Sequence, residues 1–404
     1  MKNVLLISQD FPPQGFTSSR RSGSMAKYLS EFGWQPIVLC QKWTIENCWY
    51  DPTIVTNIPK NVKIYEVEVA PKHRLSWEYA KDLFLRVFNP HLFPNAFVNN
   101  SKVMIEHIFK IHNIDAIWAS APLACNHALA NWASKRWDRP WVADFRDVHQ
   151  FKDSLRGRPV RPIRIFYEKK LIRNASVVTT VSNGFAKSLQ CRHNRIINVI
   201  PNGFDPESIA KVKSRFINKL NIVYTGGVNL GKPNFRCLLD AVAKLINSNH
   251  INQREVSINF YGAGNEKSLD RMFCDHPFRN IVNNHGHLPR EKIFECQKSA
   301  AILLLATYPG TGTLTSKVYE YLAARRPILA IPDDYTDICD LLMSTKSGVC
   351  CTSVDEISSQ LLKWYIEWKK TGKIQCNSNQ RAIKRYSRKI QAGRLAELLN
   401  RIVE

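Results

Sequence analysis

The segment Thr315-Ser-Lys317-Val-Tyr-Glu320-Tyr-Leu-Ala-Ala-Arg-Arg-Pro327 carries a cation and a carboxylate just after a loop of Gly and Thr, Gly310-Thr-Gly312-Thr313. The run Ala301 to Leu305 before that loop reads as a strand, a helix opens near Leu314, and Pro327 starts the next strand. A helix N-terminus presents unpaired backbone N–H groups and partial positive charge, so this segment is a candidate anion site. It is not an ATPase phosphate loop: the G-x-x-x-x-G-K-[ST] pattern would need Gly where Thr315 stands and Lys where Ser316 stands.

Other candidates cluster at the ends of apolar runs. Asp144-Phe-Arg146-Asp147 follows Trp141-Val-Ala143 and puts two carboxylates and a guanidinium at a strand's carboxyl end, able to orient a hydroxyl or to brace loops. Gly15 lies in the loop after the first strand, with Thr17, Ser18, Ser19, Arg20 and Arg21 behind it. His127 and His149 are nearby titratable groups, although a lone His is more often structural. Phe260-Tyr-Gly262-Ala-Gly264 lacks the third Gly of the dinucleotide fingerprint and reads as a close-approach turn. No D-x-D and no His, Cys or carboxylate cluster with metal spacing occurs, so no metal is expected.

Positioning these groups requires a repeating scaffold. Short apolar runs recur at Val4–Ile7, Ile37–Cys40, Val62–Val69, Ile114–Ala119, Trp141–Ala143, Ser176–Thr180 and Ile196–Ile200. They resume at Ile222–Tyr224, Ser257–Tyr261, Ile281–His285, Ala301–Leu305, Ile328–Ile331 and Gly348–Cys351. Helical stretches separate most of them, which predicts βαβ units and mainly parallel sheets. Pro201-Asn-Gly-Phe-Asp-Pro206, dense in turn residues, sets an expected boundary near residue 205. The expected domains are therefore residues 1–205, 206–380, and a C-terminal helix at 381–404 that crosses back to the first.

Composition narrows the function. The 404 residues carry 57 Lys plus Arg against 34 Asp plus Glu, a formal net charge of +23, which favours anionic partners without choosing among phosphates, nucleic acid and acidic lipid. The basic excess is spread over both halves and no nucleic-acid motif is present. No apolar run is long enough for a signal peptide or membrane span. Eleven cysteines, an odd count without a C-x-x-C pair, argue against a disulfide framework and a zinc site, and read as a reducing cytoplasm.

The stretch Thr315 to Leu329 resembles the donor segment of retaining glycosyltransferases of family 4. Phe11 to Arg20, Trp118-Ala-Ser-Ala-Pro122, Asp144 to Asp147, Val181-Ser182, Val199 to Asp205, Tyr224-Thr-Gly226-Gly227 and Phe260 to Gly264 agree in order, covering almost the whole chain. The resemblance implies a GT-B fold, two Rossmann-like doubly wound domains facing across a cleft, with C-terminal helices. It implies a nucleotide-diphosphate sugar held mainly by the second domain as co-substrate, without a further cofactor. Glu320 would accept the ribose hydroxyls, and Lys317 and Lys232 would face the diphosphate. Gly15, Gly226, Gly227, Gly262, Gly264, Leu288, Gly312, Thr313, Leu314 and Thr315 would line the donor. Asp144, Arg146, Asp147 and Lys232 would act on the reaction, with Thr17, Arg20 and Ser120 on the acceptor side. Gly312 stands where the family usually has a Glu for the donor sugar, and Gly227 where it has an Arg. The implied function is metal-independent transfer to a glycan or lipid-linked acceptor in bacterial surface polysaccharide synthesis. A nucleotide-sugar epimerase, a sugar-phosphate synthase and a basic nucleic-acid-binding protein are the alternatives. Lys152 to Arg173, with eight basic against two acidic residues and interleaved apolar ones, suggests peripheral contact with an anionic membrane surface.

Overall fold

The computed structural model describes residues 1–46, 50–69, 95–121, 124–147, 161–228, 235–262, 266–307, 314–332 and 337–404. The chain divides into two compact units, Met1–Asn202 with Arg388–Glu404, and Gly203–Ser387. The return to the first unit thus begins at Arg388, after a short separate helix, Gln380–Lys384, that stays with the second.

The first unit is built on strands β1 (Lys2–Ile7), β2 (Trp34–Gln41), β3 (Lys63–Val67), β4 (Ala116–Ala121), β5 (Trp141–Phe145), β6 (Val177–Thr180) and β7 (Ile197–Val199). They form one parallel sheet in the order β3-β2-β1-β4-β5-β6-β7. The run Val4-Leu-Leu-Ile7 is apolar throughout because successive side chains point to opposite faces and both are covered. Leu5 and Ile7 pack with Ile105, Ile108, Leu129 and Ala133, from helices Asn95–Ile111 and Ala124–Trp137. Val4 and Leu6 pack on the other face with Met25, Trp34 and Trp118, and with Ala392, Leu395, Ala396 and Leu399 of helix Arg388–Val403. Those four positions recur at three- and four-residue spacing, the stripe of an amphipathic helix. Trp34 Nε1 donates to Asn400 Oδ1 at 3.1 Å and fixes its register.

The second unit repeats the plan with β8 (Leu220–Thr225), β9 (Val256–Tyr261), β10 (Val282–Asn284), β11 (Ile302–Ala306), β12 (Ile328–Ile331) and β13 (Gly348–Cys350). Its parallel sheet has the order β10-β9-β8-β11-β12-β13. In each sheet the strand order reverses once, between β1 and β4 and between β8 and β11. In open α/β sheets ligands bind beyond the carboxyl ends at such a switch point. The loop holding Gly15 leaves β1, Gly226 leaves β8, and Thr307 leaves β11.

The cysteine expectation needs correction, because Cys339 and Cys350 form a disulfide with Cα atoms 5.9 Å apart. An odd count guarantees a leftover thiol but does not forbid a pair. Here helix Asp337–Thr345 leads back into β13, so residues separated by 11 in sequence meet.

Candidate active site

In the second unit the site is built around backbone that a side chain would obstruct. Gly226 follows β8 with φ +134°, a conformation L side chains rarely adopt, and its N–H donates to Tyr261 O at 2.7 Å. A Cβ there would overlap the Lys317 Cε and Nζ. Gly262 follows β9 with φ +78° and donates to Gly286 O at 2.6 Å, and Gly286, two residues past β10, has φ +63°. Three adjacent strands therefore end in turns that leave backbone bare, and the Lys317 stem lies against the first of them.

Helix Ser316–Ala324 begins at Thr315, whose extended backbone (φ −66°, ψ 142°) makes it the N-cap. Thr315 Oγ1 is buried and has no hydrogen-bond partner among the described residues. Lys317, in the first turn, holds its ammonium 5.3 Å over the Tyr224 ring and 3.4 Å from the Tyr224 hydroxyl. Burial pushes its pKa down and the Glu320 charge opposes that shift. A helix N-terminus with an adjacent, partly desolvated cation is suited to a phosphate oxygen.

Glu320 lies one turn further on and is buried. Arg290 Nη2 donates to its Oε1 at 3.0 Å, and Gln297 Nε2, which also donates to Thr225 Oγ1 at 3.0 Å, approaches its Oε2 at 3.4 Å. A carboxylate has about four lone-pair directions, and these two donors, one on each oxygen, orient Glu320. Leu288 is at the surface and Leu314 half-buried, whereas Gly227 has open space around it. Lys232, Gly264, Gly312 and Thr313, and His149, lie outside the described residues. Arg290 and Gln297 escaped the sequence reading. Their signal was their place on one helix that opens just after Leu288, a residue expected to line the donor.

Because Gly226 exists to admit the lysine stem, Gly226→Ala should reproduce the defect of Lys317→Ala. Both should weaken nucleoside diphosphate binding by about tenfold, as for loss of one charge-assisted contact, and nucleoside binding much less. Calorimetric titration of the two ligands checks this, and equal losses for both would place Lys317 away from phosphate.

In the first unit the expected acceptor cluster resolves differently. Asp144, at the end of β5, is fully buried and takes four donors: Arg21 Nη2 (2.7 Å) and Thr179 Oγ1 (2.7 Å) on Oδ1, Ser120 Oγ (2.8 Å) and Arg21 Nε (3.0 Å) on Oδ2. Burial alone would raise its pKa, but the Arg21 guanidinium and the hydroxyl donors outweigh it and hold the carboxyl below its ordinary value. Asp144 is thus a clamp on Arg21, with Ser120 a brace: of the two roles expected for this cluster, orienting a hydroxyl or bracing loops, these hydrogen bonds are those of a brace. Arg21 also reaches Pro201 O and Asn202 Oδ1 at 3.3 and 3.4 Å, so its guanidinium is buried and turned inward. Arg146 pairs with Asp10 across 3.4 Å, and Gln14 Nε2 donates to the other Asp10 oxygen at 3.2 Å. Asp147 and Thr17 are exposed, Arg20 is half-buried and Gly15 is buried. His127 is buried against Asp144 O, and burial pulls its pKa down to about 4, which keeps it neutral.

The two switch-point units, with a helix terminus suited to a phosphate oxygen and a fixed carboxylate in the second, have the makings of a glycosyltransferase of GT-B architecture. Residues 17–203 match the glycosyl transferase 4-like domain and residues 219–366 the glycosyl transferases group 1 domain, and the chain belongs to this family of glycosyltransferases. The fold is that of a glycosyltransferase from Rickettsia africae (TM-score 0.69, 16% identity, 100% of this chain and 99% of that one). It is also that of Anabaena HepE, solved in complex with UDP-glucose (0.65, 15%, 99% and 100%), and of a Thermosynechococcus elongatus sucrose-phosphate synthase (0.66, 12%, 99% and 99%). No curated protein matches the chain at a significant level.

Proposed function

We propose that this glycosyltransferase moves a sugar, with retention and without a metal, from a nucleotide-diphosphate donor to a glycan or lipid-linked acceptor of a bacterial surface polysaccharide. The observation that carries the donor assignment is the placement of Lys317, the Thr315 cap and Glu320 on one helix beside the Gly226 and Gly262 turns. The cation and helix terminus stabilise charge gathering on the departing diphosphate, and Glu320 holds the ribose. Retention follows from same-face attack, in which the leaving phosphate takes the acceptor's proton. The test is a thermal-shift panel of nucleotide sugars, followed by product analysis with and without acceptor. A ligand at 100 times its Kd stabilises by roughly 2.7 kcal/mol. Epimerised or hydrolysed donor, formed equally without acceptor, would overturn the reading.

The lipid-linked form of the acceptor is supported by helix Arg161–Ile172. Phe166 is 64% exposed and Tyr167 38%, beside exposed Lys169, Lys170 and Arg173. The helix's one acid, Glu168, is paired with Arg192 and His193 at 2.9 and 2.8 Å, so it barely offsets the surface charge. No helix among the described residues is long and apolar enough to cross a membrane. Basic residues near an anionic bilayer contribute about 1 kcal/mol each. Vesicles with anionic lipid should therefore sediment the protein and purely zwitterionic vesicles should not. Phe166→Ser with Lys169→Gln and Lys170→Gln should reduce the bound fraction severalfold. Binding that ignores lipid charge would remove the helix from any membrane role.

A further inference from the structure

Helix Arg290–Ser299 opens right after the loop that follows β10, and three of its residues, Arg290, Phe294 and Gln297, fall at i, i+4 and i+7, one face of a helix. Arg290 and Gln297 reach Glu320, and Phe294 backs Arg290. The Arg290 guanidinium lies 4.8 Å from the Phe294 ring centroid, which fixes its plane, and donates through Nη2 to Glu320 Oε1. Gln297 sits between Thr225, at the end of β8, and Glu320 Oε2. Arg290 Nη1 is buried and has no hydrogen-bond partner among the described residues. Buried donors are seldom left unpaired in a finished structure, so this one points to an acceptor oxygen on a ligand.

We propose that Arg290 is a positioning residue for nucleoside recognition. It holds the Glu320 carboxylate in one rotamer facing the ribose hydroxyls, and its Nη1 is a donor to an oxygen of the same nucleoside. The inference rests on the donor-site reading above and adds to it the residue that sets ribose selectivity. A lysine in place of Arg290 would keep the charge but lose the planar fork that serves two acceptors at once.

The test measures binding of UDP, CDP, ADP and GDP, and of their 2′-deoxy counterparts, to the full chain by calorimetry, comparing wild type with Arg290→Lys, Arg290→Ala and Glu320→Gln. The best-bound base should show a ribo-over-deoxy preference of about tenfold or more in the wild type, the scale of a hydrogen bond to a charged group. Glu320→Gln should reduce that preference to under about threefold, and both Arg290 variants should do the same. Affinity for the 2′-deoxy ligand should fall much less than affinity for the ribo ligand in every variant. Should Arg290→Ala melt early without ligand, Arg290→Lys decides. A preference lost in Glu320→Gln but kept in the Arg290 variants overturns the inference alone, as does an equal loss of both ligands in those variants. No preference in the wild type, no binding of any of the four bases, or a preference kept in Glu320→Gln overturns the donor-site reading itself.

Discussion

Glu320→Gln should lower kcat/KM for the donor by roughly 10² to 10³-fold while the protein melts within a few degrees of wild type. The substitution keeps shape and burial but removes the charge that makes hydrogen bonds to ribose hydroxyls strong, each about 1.5–3 kcal/mol. It also leaves the Arg290 cation facing a neutral amide, so the nucleoside shifts, and small displacements of a reacting centre are expensive in rate. The side chain is only about a tenth exposed, so water cannot easily replace what is lost. Steady-state kinetics at varied donor, paired with melting curves, provide the measurement. Turnover near wild type would remove Glu320 from the donor site.

The second large effect belongs to stability. Asp144→Asn leaves a buried guanidinium without its counter-charge, and breaking a buried pair from one side costs about 3–5 kcal/mol. The carboxyl's pKa is depressed in the folded state. Its contribution is therefore fully present above the unfolded value, near 3.9, and is lost as pH falls through the folded value. Urea unfolding at pH 7 should show the full deficit in Asp144→Asn. The wild type should approach the variant only at strongly acid pH, because protonation then does to Asp144 what the substitution did. Wild-type stability with abolished transfer would instead restore a chemical role for this carboxylate.

What the residues disclosed in advance depends on how local the signal is. A parallel strand covered on both faces must be apolar along its whole length, so Val4–Ile7, Ala301–Leu305 and Ile328–Ile331 stood out from their neighbours. Lys317 and Glu320 were legible because one helical turn carries both, next to a loop of Gly and Thr. Arg21 and Asp144 are 123 positions apart, and only the closing of β1 against β4, and of β4 against β5, brings them together. The pairing of Arg290 with Glu320 is hidden for the same reason, because two successive crossover helices must lie side by side before the charges meet. The Cys339–Cys350 bridge had no spacing signature, and chain direction through a helix and a strand decided it.

Helix Arg388–Val403 packs on a face of the first sheet made mostly from residues before 143, yet every residue of the second unit is synthesised in between. A nascent chain that has already made β1 to β7 must wait through nearly two hundred more residues before Ala392, Leu395, Ala396 and Leu399 emerge to cover Val4, Leu6 and Trp118. The second unit, contiguous from Gly203 to Ser387, has all its parts earlier and can close first. Folding on the ribosome would then run against the usual order, with the leading half completed last. Through that interval a water-averse surface is left to chaperones, and a stop codon anywhere in the second unit strands the first half with that surface permanently bare.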